Sequence, residues 1–310
     1  MKNADSLWLS LMRFANRRAR NSQVLRRAGI LAYRSFMQTI IFLPPPKVLL
    51  IGPPKSGTHL LSDCLSLMPR MMFSGRHFAL TDFYDRSGES GNVSGSEAYP
   101  ALRETDLRNF LKRTPRGMFA TAHARFHPSL VRFLEELGFK QVLLLRDPRD
   151  VVVSHVFYVK RERLHQHHTY FMEALKSNEE CIMATIKGFE SSAGYTSISI
   201  KERFDGYIAY FDHSSTLVVR FEDLVGPQGG GDAEKQLADI QRIGEFVNRP
   251  IDRDQARQIA EKIYGKSTLT FRKGQSGDWR NHFTDAHRRA FKEIAGETLI
   301  RLGYEKDTDW

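Results

Sequence analysis

Short uninterrupted apolar runs alternate along this chain with stretches in which apolar residues recur every three or four positions. The runs at 47–51, 117–122, 140–145 and 216–221 read as strands, because a segment apolar on both faces suits the middle of a parallel sheet. The helical period covers about 58–68, 128–137, 148–164, 201–212, 234–248, 252–264 and 285–301, with two more patterns near 5–20 and 24–41. Strands alternating with helices predict an α/β fold. Its parallel β-sheet would be flanked by helices on both faces, with ligands at the carboxyl ends of the strands. Two connections break the rhythm. Val225–Asp232 holds three consecutive glycines, and Ser74–Pro100 is rich in Gly and Ser with Phe78, Phe83 and Tyr84. The second is long for a structureless connection, so it reads as a lid over a binding site, though an unstructured segment fits as well.

Composition narrows the class. The chain has 310 residues, 41% of them hydrophobic, enough for the core of one α/β enzyme. Its two cysteines, Cys64 and Cys181, give no disulfide framework. No apolar run reaches the roughly 18 residues of a membrane span, and no signal peptide with a clean cleavage site is present. The formal charge is +10, and residues 1–40 hold eight Lys/Arg against Asp5 alone, a net of +7. Leu7, Trp8, Leu11 and Phe14 recur at helical spacing among those arginines, a pattern able to lie on an anionic membrane surface. A helix docked on the protein's own core fits the same pattern. Residues 1–41 are therefore set apart from 42–310, and the expected location is cytoplasmic, peripheral on a membrane if the first segment binds one.

Three segments carry chemistry. Val48-Leu-Leu-Ile-Gly-Pro-Pro-Lys-Ser-Gly-Thr58 feeds a strand into a helix through a tight turn. Such a turn aims backbone N–H groups and the positive end of the helix dipole at one spot, which suits phosphate. It makes the sheet P-loop-type, yet Lys55 lies before Gly57, not after it as in G-x-x-x-x-G-K-[ST]. In Lys140-Gln-Val-Leu-Leu-Leu-Arg-Asp-Pro-Arg-Asp150 a strand ends at Arg146, and Pro148 and the two aspartates suit a capped helix start. Arg146 and Ser154, two turns on, could share one anion. A surface salt-bridge cluster of Arg146, Asp147, Arg149 and Asp150 is the plainer alternative. The polar run Phe271–Thr284 reads as a loop able to close over an anion with Arg272, Lys273 and the Gly274 N–H.

Together these segments resemble the sulfotransferases that use 3′-phosphoadenosine 5′-phosphosulfate (PAPS), particularly the soluble, cytosolic type. Pro54-Lys55-Ser56-Gly57-Thr58 stands where that family holds the 5′-phosphosulfate, and Arg146 with Ser154 where it holds the 3′-phosphate. The R-K-G-x-x-G-D-W-[KR]-N-x-F-T element runs without a gap from Arg272 to Thr284. His59 replaces the family's tryptophan after Thr58, so an adenine-stacking role has no carrier there, and Tyr264 is the nearest aromatic candidate. The family's dimer signature is degenerate, reading Arg280, Thr284, Asp285 and Arg289. The resemblance implies a sulfotransferase domain over 42–310 with PAPS as co-substrate and no metal. The acceptor would be a small molecule, lipid or carbohydrate, with no nucleic-acid partner.

For a base, the strand Met118–His123 ends in a histidine where the family places its catalytic one, though Thr121 stands at the family's lysine position. A neutral imidazole can accept the acceptor's hydroxyl proton, and Lys55 would neutralise charge on the leaving oxygen. His127 and His59 are rivals. His165, His167 and His168 lack an Asp, Glu or Cys at ligand spacing and read as a solvated helix end, not a metal site. Phe221-Glu222-Asp223-Leu224 reads as structural. The competing functions are an ATP-dependent kinase, which the missing G-K-[ST] disfavours, and a non-catalytic nucleotide-binding membrane protein.

Overall fold

The computed structural model describes residues 46–85, 100–264 and 273–310. The helical patterns at 5–20 and 24–41, most of the proposed lid and Arg272 lie outside them. Five strands form one parallel sheet in the order β2-β3-β1-β4-β7: β1 Lys47–Ile51, β2 Met72–Ala79, β3 Met118–His123, β4 Phe139–Leu145 and β7 Thr216–Arg220. A two-stranded ribbon, β5 Phe189–Glu190 and β6 Thr196–Ser197, stands apart.

The central strands bury both faces. Leu49, Ile51, Ala120, Ala122, Leu143 and Leu145 face one core; Val48, Leu50, Phe119, Val142 and Leu144 face the other. The second core is closed by α1 (Thr58–Leu67), and the first by α2 (Glu104–Lys112), α3 (Pro128–Glu136), α4 (Pro148–Arg161), α5 (Asn178–Lys187) and α6 (Ile200–Ile208). The short α7 (Phe221–Leu224) follows β7; α8 (Ala233–Phe246) and α9 (Arg253–Ile263) join the second core, and α10 (Asp285–Arg301) the first. This is the α/β, helix-flanked parallel sheet expected from the sequence.

The differences have local causes. Ser74–Ala79, expected within the lid, belongs to edge strand β2, whose register shifts between Phe73 and His77. Gly75, Arg76 and His77 interrupt its apolar pattern, which hid it. Leu80 and Phe83 are likewise buried in the core, not part of a lid. Helices α2 and α5 were missed, and α4 ends at Arg161 rather than 164. The glycines of Val225–Asp232 do not form an isolated loop, since Gly229 O accepts from Ser276 N at 2.8 Å. Among the described residues no helix is long and apolar enough to cross a membrane.

Candidate active site

β1 passes through Gly52–Gly57 into α1. Lys55 and Gly57 take positive φ of 72° and 96°, the curl that a phosphate loop needs. A Cβ at Gly57 would lie 2.5 Å from the Phe221 ring, so this position holds only glycine. Ser56 is fully buried and its Oγ donates to Pro53 O at 2.7 Å, bracing the turn from inside. Thr58 opens α1. The Lys55 ammonium stacks 3.8 Å above the Tyr158 ring of α4. Burial first, then the charges of Arg161 and Arg146, pull its pKa down to about 8.

Arg146 follows β4 at the carboxyl edge of the sheet. Its guanidinium lies 4.3 Å from the centre of the Phe221 ring, the same ring that abuts Gly57. The Phe221 ring therefore touches both Arg146 and the phosphate loop. Nη2 donates to Gln275 O at 2.8 Å, while Nε is buried with no partner. Ser154 lies two turns along α4, half-buried. Asp150 ties down the C-terminal loop by accepting from Gly277 N at 2.7 Å and Trp279 N at 2.9 Å. In that loop Gly274 has φ 61°, and the Lys273 ammonium donates to Asp278 at 3.1 Å. Tyr264 sits against it, its hydroxyl donating to Lys273 O at 3.1 Å.

The cluster Arg146, Asp147, Arg149 and Asp150 is not on the surface. All four are under 8% exposed. Asp147 caps α4 by accepting from Arg149 N and also takes the Arg149 guanidinium in two-pronged fashion, at 3.0 and 2.8 Å. Glu222 accepts from Asp147 N at 2.8 Å and from the Tyr304 hydroxyl, and burial pushes its carboxyl up to about 7. These bonds give the Phe221–Leu224 element the structural part expected of it. Thr284, read as a remnant of a dimer signature, caps α10 with His287.

His123 closes β3 beside the phosphate loop. Its Nδ1 is 2.8 Å from Gly52 O, which assigns the ring proton to Nδ1 and leaves a lone pair on Nε2. The Tyr207 hydroxyl reaches the same carbonyl at 3.4 Å. Burial is the main cause of a His123 pKa near 4; His77, His59 and Lys55 add to the depression and the Gly52 bond opposes it. His77, on β2, meets the His123 ring edge-on at 4.9 Å. Of the rivals, His127 caps α3: Nδ1 accepts from Ser129 N and Nε2 donates to Pro100 O, so both nitrogens are engaged. His59 is exposed on α1.

Lys55 and His123 border one cavity of about 460 Å³, within the range of small-molecule sites. Leu80, Tyr84, Tyr158, Ile198 and Tyr207 supply its apolar surface. His165 and His167, expected at a solvated helix end, instead form its wall with His155 of α4. His155 and His167 are buried, and nitrogens of the three rings all lie within 4.8 Å of one another. His168 stands apart, bonded to Val159 O at 2.9 Å. The sequence reading missed His77, Tyr158, Arg203 and Tyr207 and gave His155 no part in the site. A signal was there for two. His155 shares a stripe with Val152, Val156 and Val159, and Arg203 one with Ile200, Phe204 and Tyr207, each a polar residue on an apolar helix face.

The sequence matches the family described as "Sulfotransferase domain" over residues 45–303. It is 25% identical to human Sulfotransferase 2A1 over 279 residues, covering 83% of this chain and 86% of the relative. It is 23% identical to Flavonol 3-sulfotransferase of Flaveria bidentis over 280 residues, 84% and 83% of the two chains. Two solved structures share the fold. Mouse sulfotransferase SULT7A1 complexed with PAP superposes with a TM-score of 0.56 at 17% identity, covering 82% of this chain and 84% of that one. Retinol dehydratase in complex with androsterone and inactive cofactor PAP gives 0.54 at 17% identity, covering 87% and 83%.

Proposed function

The chain belongs to the sulfotransferase family, and we propose that it transfers a sulfuryl group from PAPS to a hydroxyl or amine of a small-molecule, lipid or carbohydrate acceptor in the cavity. Adenosine 3′,5′-bisphosphate (PAP) is the second product. One observation carries the reading: Lys55 and His123 face one cavity, and the bond from His123 Nδ1 to Gly52 O leaves Nε2 as a base. The acceptor oxygen attacks sulfur as its proton passes to Nε2, and the S–O bond to the departing phosphate breaks. Lys55 steadies charge on that oxygen.

The residues present fit the nucleotide. The positive-φ loop at Lys55–Gly57, with Ser56 and Thr58, suits the phosphosulfate end. Arg146 keeps an unpartnered buried Nε beside it and, with Ser154, suits the 3′-phosphate. Arg272, Lys273 and Gly274 complete that end in this reading. A kinase is not favoured, since the loop lacks G-K-[ST] and the family match spans it.

Arg146→Ala tests the nucleotide assignment. Loss of a charge-assisted pair should weaken PAP binding about 10- to 100-fold by calorimetry. Adenosine 5′-phosphate, which lacks the 3′-phosphate, should bind as before. Equal losses for both nucleotides would remove Arg146 from this role. PAP should also raise the melting temperature of the unaltered protein where ATP with magnesium does not.

We also propose that residues 1–41 attach a cytoplasmic enzyme peripherally to anionic membrane, on the strength of their basic amphipathic pattern. The full chain should then sediment with anionic but not neutral vesicles and come off with added salt. A chain beginning at Phe42 should stay in the supernatant and keep its PAP affinity. If both forms sediment alike, the first segment does not bind lipid.

A further inference from the structure

The cavity carries more positive charge than sulfuryl transfer uses. Beyond Lys55 and His123 its wall includes Arg125 and Arg203 beside the rings of His155, His165 and His167, and among the described residues no Asp or Glu borders it. Arg203, on α6, is only part-exposed, and among the described residues no carboxylate lies within ion-pair distance of it. Its charge, after burial, helps lower the pKa of all three neighbouring histidines, so the rings stand neutral around it. A part-buried cation with no counter-charge is costly unless a ligand supplies one.

The hydrogen-bond directions decide what kind of ligand suits. The His167 backbone N–H donates to His165 Nδ1 at 3.1 Å, so in the neutral ring His165 carries its proton on Nε2. That nitrogen is a donor. Binding a metal through Nε2 would move the proton to Nδ1, against another N–H. His167 Nε2 lies 3.0 Å from Thr196 O, and its Nδ1 is buried without a partner, open to take up a proton opposite an anion. The guanidinium of Arg203 adds a positive charge beside the cluster, which also repels a metal cation.

We propose that this end of the cavity is a subsite for a carboxylate carried by the acceptor, gripped by the Arg203 guanidinium and the His165 Nε2–H, with exposed Arg125 at the rim. The natural acceptor is then an acidic hydroxyl compound, oriented with its carboxylate on α6 and its hydroxyl toward His123. This rests on the reading of the cavity as the acceptor site of a sulfotransferase.

The test uses the full chain saturated with PAP and two probes of nearly equal shape, 4-hydroxyphenylacetate and 4-hydroxyphenylacetamide, measured by calorimetry. The acid should bind about tenfold or more tightly than the amide, as a charge-assisted pair implies. Arg203→Gln should abolish that preference while leaving amide and PAP affinities unchanged, and Arg203→Lys should keep part of it. If the unaltered protein binds the two alike, or shows no binding of the acid at millimolar concentration, the proposal falls without need of a variant. It falls equally if Arg203→Gln weakens PAPS instead of the acid. Stoichiometric zinc binding that disappears in His155→Ala would give the rings to a metal and overturn it too. None of these outcomes touches the sulfotransferase reading, which fails separately if PAP itself does not bind.

Discussion

His123→Ala should lower kcat by about 10²-fold or more while PAP binds as tightly as before. The ring faces the acceptor cavity, and its one bond to the cofactor side is to the carbonyl of Gly52. The pH profile gives the stronger test. The base must be neutral, and burial, with smaller contributions from His77, His59 and Lys55, holds the free-enzyme pKa near 4. Activity as kcat/KM should therefore stay level through the ordinary imidazole range of about 6.5 and fall only toward pH 4. Lys55 works in the other direction. It must be charged, and with a pKa of about 8 it should set an alkaline limb there. A bound polyanion favours the protonated form of both groups, so each limb of kcat should lie at higher pH than the matching limb of kcat/KM. His123→Ala should erase the acid limb alone, and Lys55→Met the alkaline limb alone. An acid limb retained in His123→Ala would hand the base to another group.

Arg149→Ala should cost about 3–5 kcal/mol of stability, the effect of stranding one side of a buried ion pair. Arg149 is 2% exposed, held by Asp147, 2.6 Å from Glu305, and set in the corner between the perpendicular rings of Trp279 and Trp310, 4.2 and 4.4 Å from their centres. Burial works against its charge, but the two carboxylates prevail and hold its pKa above the ordinary value. Removing it leaves the α4 cap, the loop at Trp279 and the C-terminal Trp310 without their common centre. Arg149→Met keeps much of the packing and should lose less than the alanine variant. Urea midpoints for the two variants measure this. A midpoint unchanged in Arg149→Ala would show that the cluster adds nothing to stability.

Much of the fold was legible because its strands are nearly pure apolar runs. Val48–Ile51 and Val142–Leu145 admit no amphipathic reading, and the helix starts expected at 148, 252 and 285 fell within a residue of the helices that Asp147, Asp252 and Thr284 cap. β2 was illegible for the opposite reason. As an edge strand it needs only one neighbour, so Arg76 and His77 are tolerated where a central strand would exclude them. The proposed cofactor end could be read from the sequence because one loop and one strand end carry it in contiguous motifs. The cavity proposed for the acceptor could not, since α4, α6, β2 and the β5–β6 ribbon each contribute one or two residues. No contiguous motif holds His155, His165 and Arg203. Only the tertiary approach of the elements puts them on one wall.

The carbonyl of Gly52 joins two parts of the site. It receives the His123 ring and the Tyr207 hydroxyl, and it belongs to the peptide that leads into Pro53, where the phosphate loop begins. A single peptide plane thus sets both the aim of the base and the entrance of the loop. Aim of the base and shape of the phosphate loop are therefore set together, so a substitution that turns this peptide should disturb proton transfer and nucleotide affinity at once.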